Sequence, residues 1–103
     1  MYATVRRYTA NKGSVRDASK RLEKEFRPII TAIPGFISYA LIEGEEERGQ
    51  DVLITVTICD TRAGVDESIK VAASWVKANM TGLGISAPTV TTGEVLVSAQ
   101  KGR

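Results

Sequence analysis

The sequence contains no histidine and a single cysteine, Cys59. The first absence removes the commonest general base near neutral pH and a leading ligand for zinc, haem and non-haem iron. A Ser-His-Asp or Cys-His catalyst built within this chain is therefore excluded. The second excludes an intrachain disulfide, and nothing points to an oxidising compartment. Neither charge sign is in excess. Fourteen basic against 12 acidic side chains give a net charge of +2, which offers no footprint for nucleic acid or an anionic membrane surface. The longest apolar runs fall far short of a membrane span, and Met1 leads directly into strand-like sequence without an apolar signal segment. A cytoplasmic protein with no nucleic-acid or membrane partner is expected. The Gly82-x-Gly84 pair follows a helix rather than a strand, which is wrong for nucleotide binding, and neither a cofactor nor a metal is expected.

What is present is an ordinary globular composition, 43% hydrophobic and 25% charged over 103 residues. That length fits one domain over 1–103, burying roughly two-thirds of its unfolded surface. Residues 2–8, YATVRRY, suit a strand. Asn11-Lys12-Gly13 signals a turn, and Ser14 to Asp17 has the spacing of a capping box. Val15, Ala18, Leu22, Phe26, Ile29 and Ile33 then recur at helical steps. Pro28 lacks an amide hydrogen and clashes one turn back, so a kink or restart is expected near Arg27. Pro34-Gly35 ends the helix. Phe36–Glu43 and Asp51–Asp60 read as an antiparallel hairpin across an acidic loop, Gly44 to Gln50. Thr61 caps a second helix over Arg62–Asn79, whose apolar stripe is Val65, Ile69, Ala72, Val76 and Met80. A fourth strand covers Thr89–Ser98, with Gly93 suggesting a bulge or a close backbone approach.

The order β-α-β-β-α-β is the ferredoxin-like, α+β arrangement: an antiparallel sheet with two helices on one face. The other face is then bare. The alternation in the third strand offers either Val52, Ile54, Val56 and Ile58 or Leu53, Thr55, Thr57 and Cys59 to it, and neither set is charged. A monomer would expose an unusually large apolar patch. Packing two sheets face to face removes it, so a homodimer is expected.

Several short segments resemble the dimeric α/β-barrel superfamily, and especially its antibiotic-biosynthesis-monooxygenase-like branch. They are the opening YATVRRY strand, the IPGF segment (Ile33 to Phe36), the hydrophobic hairpin, and the D-T-R-A start of the second helix (Asp60 to Ala63). The resemblance implies a homodimer whose two sheets form a barrel. It also implies either cofactor-free oxygenation of an aromatic or quinone-like small molecule, or a ligand-binding or structural role without catalysis. A related branch breaks down haem through a histidine ligand, which this chain does not have. The branch's better-known monooxygenases place an asparagine one turn before a helix tryptophan. Here Val71 stands there, and Asn79 comes one turn after Trp75.

The candidate ligand-binding residues are Trp75, Asn79, Arg6, Tyr8 and Tyr39; no catalytic residue is assigned. By helical phase Trp75 lies to one side of the stripe with Asn79, either bordering a cavity or packing at the edge of the core. Tyr2, Thr4, Arg6 and Tyr8 share one face of the first strand. Arg6 and Tyr8 facing a pocket with Tyr39, Thr55 and Thr57 would suit an anionic or phenolic ligand. Alternatively Arg6 and Arg7 hold their heads in solvent at the sheet rim. Glu94 is placed either to pair with Arg6 or Arg7 across the sheet or to act as a base. Cys59 reads as a structural thiol, and Arg16, Lys20, Lys24 and Arg27 as a solvated, salt-bridged row.

Overall fold

A computed structural model describes residues 1–101. The chain runs β1 (Tyr2–Ala10), α1 (Ser14–Arg21), a π-helical turn (Leu22–Phe26), α2 (Arg27–Thr31), β2 (Phe36–Glu47), β3 (Gln50–Cys59), α3 (Arg62–Asn79) and β4 (Thr89–Glu94). The four strands form one antiparallel sheet in the order β2-β3-β1-β4. This is the expected ferredoxin-like topology, with the helices on a single face.

Strand alternation assigns the faces. Thr4, Arg6, Tyr8 and Ala10 of β1 are buried beneath the helices, as are Leu53, Thr55, Thr57 and Cys59 of β3. Tyr39 and Leu41 of β2 face the same way, opposite Thr57 and Thr55. The core between sheet and helices gathers Ala18, Leu22, Phe26, Ile30, Ile33, Ala72, Trp75 and Met80. The outer face carries Ile54, Val56 and Ile58, set against Arg7, Val5 and Ala3 of β1.

The restart near Arg27 occurs as Pro28 requires, with proline in the first turn of α2. The residues before it form a π turn, which adds a residue to the coil. Leu22 and Phe26 at its two ends both reach the core, and Ile30 continues their line. The capping box does not form. Gly13 occupies the N-cap with φ 88° and no side-chain cap. Asp51 at the start of β3 instead accepts a 3.0 Å bond from the Val15 amide, and Ser14 donates to the Leu83 carbonyl.

Two further expectations are corrected. The acidic stretch Gly44 to Gln50 is not a loop: β2 and β3 continue to Glu47 and Gln50, joined by Arg48-Gly49 alone. Both turn residues have positive φ, 54° and 77°, the signature of a tight hairpin turn whose twist matches the strands. The glutamates find cations at hand, Glu43 with Arg16, Glu46 with Lys12 and Glu47 with Arg7. β4 stops at Glu94 rather than Ser98. Gly93 lies in unbroken register opposite Ala3, so it marks neither a bulge nor a close approach.

Candidate functional site

Four of the five candidate residues meet at one place. A small cavity of about 20 Å³ lies between the inner sheet face and α3, lined by Arg6, Tyr8, Tyr39 and Trp75 together with Leu22, Phe26, Leu53, Thr55, Ala72 and Val76. It has room for about one water. β1 and β3 supply its polar floor, because Arg6 stands directly opposite Thr55 in the ladder. α3 and the π turn supply its apolar roof.

Arg6 is the unusual member. It is 2% exposed, and among the described residues its Nε and Nη1 have no hydrogen-bond partner; the Thr55 and Thr57 hydroxyls are likewise buried and unpartnered there. The rim position allowed for Arg6 in the sequence is therefore wrong, and holds only for Arg7, which reaches outward to Glu47 at 2.6 Å. Glu94 pairs with neither arginine: it is exposed and stands opposite Tyr2. The inward direction of Arg6 is imposed by its neighbours. Thr4 and Tyr8 flank it on the same face, and a one-residue slip would turn all three outward. Removing an ion from water costs several kcal/mol even after relaxation, so an unpaired guanidinium here is a liability unless something joins it.

Tyr39 lies beside this cation. Burial pushes its phenol up to about 12, partly offset by the nearby Arg6 charge. The hydroxyl therefore keeps its proton at neutral pH and remains a donor.

Trp75 is 8% exposed and stands in the middle of the buried face of α3, not to one side. The buried line is Gly64, Val65, Ser68, Ala72 and Trp75. Ser68 belongs to it because its hydroxyl donates to the Val65 carbonyl at 2.6 Å. An apolar-only stripe passes over that serine and puts Ile69 in its place. The Phe26 ring packs between Trp75 and Tyr39, with ring centroids 5.5 and 5.7 Å away. Asn79 is not brought to the cavity. Its amide donates to the Trp75 carbonyl at 3.0 Å, and its own carbonyls accept from Arg21. Arg21 also lies over the indole, 5.8 Å from its centroid. Asn79 therefore ties α1 to the end of α3.

A second hollow adjoins the first. An open groove of about 530 Å³ runs between the α1–α2 arm and β2, lined by Ser19, Leu22, Glu23, Arg27, Ile30, Phe36 and Tyr39 among others. Leu22 and Tyr39 line both hollows and so separate them. The groove is absent from the sequence reading. Its only trace there is Pro28, which breaks the helical arm beside β2. Cys59 is buried, and burial followed by the neighbouring Asp60 pushes its thiol up, as suits a structural thiol. Among the described residues no group of three or more acidic or cysteine side chains is placed to hold a metal. No helix there is long and apolar enough to cross a membrane.

No protein-family model matches the sequence, and no curated protein does. Solved structures do match. A protein of unknown function from Nitrosomonas europaea is 18% identical, with 99% of this chain and 95% of that one aligned at a TM-score of 0.75. A dimeric ferredoxin-like protein from an uncultured marine organism is 12% identical, over 98% and 100% of the two chains, at 0.73. A monooxygenase from Streptomyces coelicolor, solved with nanaomycin D, is 9% identical over 98% and 92%, at 0.70. The chain thus has the ferredoxin-like fold of antibiotic-biosynthesis-monooxygenase-like proteins.

Proposed function

We propose that this chain is a homodimeric small-molecule-binding domain, and that its site is anchored at the cavity walled by Arg6, Tyr8, Tyr39 and Trp75. The observation that carries the reading is the buried, unpartnered polar floor of Arg6 and Thr55 under an aromatic roof. Convergent polar groups in an apolar hollow are what orient a small ligand. Trp75 is the only tryptophan, so its emission reports this one place. A panel of quinones, anthrones and flavonoid-like phenols should quench it saturably, and Trp75→Phe should weaken binding while leaving the fold intact. Emission unmoved by every ligand, with Trp75→Ala lowering stability by roughly 3–5 kcal/mol, would make the residue core and nothing more.

A second reading, oxygenation of the bound compound without a cofactor, is favoured by the same cation. Arg6 would stabilise the ionised form of a phenol, from which an electron passes most readily to dioxygen. The monooxygenase from Streptomyces coelicolor has this fold. An oxygen electrode separates the two readings: an anthrone consumed with one dioxygen, giving quinone and water at a rate that Arg6→Met abolishes, would establish catalysis. Saturable binding without oxygen uptake leaves a binding domain.

A further inference from the structure

We propose that the ligand of this site is an acidic planar compound bound in two parts, its anionic oxygen reaching Arg6 between Leu22 and Tyr39 while its ring system lies in the groove beside β2. This rests on the small-molecule reading and specifies the ligand's charge and pose.

The sizes require such a division. The cavity at Arg6 admits about one water, roughly the room of one oxygen atom, and cannot hold a ring. The adjoining groove, at about 530 Å³, lies within the ordinary range for small ligands. Leu22 and Tyr39 border both hollows, so a ligand that occupies both would pass between these two side chains. Phe36 and Tyr39 give the groove an aromatic wall against which a planar body can stack.

The charge follows from the donors. Arg6 Nε and Nη1 and the Thr55 hydroxyl all lack partners, and no carboxylate of the described residues is within salt-bridge distance of Arg6. One water would satisfy a donor but would leave the charge unneutralised, whereas a carboxylate or ionised phenol does both. Tyr39, whose hydroxyl keeps its proton, can donate to the same oxygen. The acid at the groove is already answered: Glu23 is paired with Arg27 at 2.5 Å, so an approaching anion meets no uncompensated carboxylate there.

Isothermal titration calorimetry with 2-naphthoate and its neutral isostere 2-naphthamide tests this, with 2-naphthol titrated at pH values below and above its own ionisation as the phenolate arm. The naphthoate should bind about tenfold or more tighter than the amide. Arg6→Met should erase that preference and raise the melting temperature, because it removes an unpaired buried charge. Leu22→Trp, which adds bulk at the border of the two hollows, should weaken the naphthoate as well. If the Arg6→Met protein does not fold, Arg6→Lys keeps the cation but loses the planar fork, and the preference should fall several-fold. Equal binding of naphthoate and naphthamide, or a preference that survives replacement of Arg6, overturns the proposal and leaves the small-molecule reading standing. Silence from every probe, including neutral quinones, removes both.

Discussion

A methyl group placed on Gly64 would sit 3.0 Å from Cβ of Cys59 and 3.2 Å from the Pro34 carbonyl oxygen. The first turn of α3 lies that close to the end of β3 and to the loop before β2, so the glycine sets how the helix seats. Gly64→Ala should destabilise the protein by about 1–3 kcal/mol through overpacking, read as a lower urea midpoint. A midpoint unchanged by the substitution would mean that α3 can lift away freely. Nothing in the sequence marks this contact, since a helical pattern records apolar spacing and not how close a neighbour stands. The same blindness hid Ser68, and with it the central position of Trp75. Tyr39 carries a separate prediction. Its phenol ionises near 10 when unfolded and at about 12 in the fold, so the folded state holds the proton more tightly. Its contribution is fully present below pH 10 and is lost as pH rises toward 12. Tyr39→Phe should flatten that alkaline loss, on the order of 2 kcal/mol, in urea titrations between those limits. Parallel losses in the two proteins would show that the phenol reaches solvent.

At the scale of elements, charge misled the reading more than pattern did. Strands and helices follow from alternation and from three- and four-residue spacing, and all four strands and both helical arms form where those periods lie. The run of glutamates at 45–47 reads as loop because acidic residues are poor strand formers. It is strand nonetheless, on the exposed edge of the sheet, where charges discourage pairing with another chain, and Lys12 and Arg7 answer Glu46 and Glu47. The turn that makes this possible, Arg48-Gly49, requires φ above zero at both positions, which suits glycine and burdens arginine. Arg48→Asn should therefore stabilise the hairpin by roughly 1 kcal/mol, since asparagine tolerates the left-handed region. Gly49→Val should cost about 1–2 kcal/mol. Thermal melts of the two variants should move in opposite directions. Movement the same way would mean that the turn is not under backbone control. The π turn was beyond such reasoning. Pro28 announces a break in the helix, but not that the coil before it widens to keep Leu22, Phe26 and Ile30 on one side.

For the whole molecule, the outer sheet face decides whether one copy is sufficient. Across its middle run Ala40, Val56, Val5 and Thr91, each opposite the next in the ladder. The row on one side is Ser38, Ile58, Ala3 and Gly93, and on the other Ile42, Ile54, Arg7 and Thr89. Arg7 is the one charged residue in these rows, and Glu47 neutralises it. A sheet face meant for water shows polar residues throughout, whereas this one leaves Val5 and Ile42 substantially exposed. Face-to-face pairing with a second copy would cover the patch, and burial of about 1,600 Å² in total is ordinary for such a contact. Val56 occupies the centre of the face and is half-buried in one copy. Val56→Asp should therefore leave the protomer folded yet place two carboxylates against each other in the dimer. Sedimentation should show the wild type at twice the 11.1 kDa protomer mass at micromolar concentration, and the variant at the protomer mass. Because the Arg6 cavity opens on the opposite side of the sheet, the separated protomer should still bind whatever ligand the dimer binds, with an affinity within a few-fold. A wild-type protein that sediments as a single protomer would remove the dimer while leaving the cavity untouched. Loss of ligand binding in a folded Val56→Asp protomer would instead show that the two faces of this sheet are coupled.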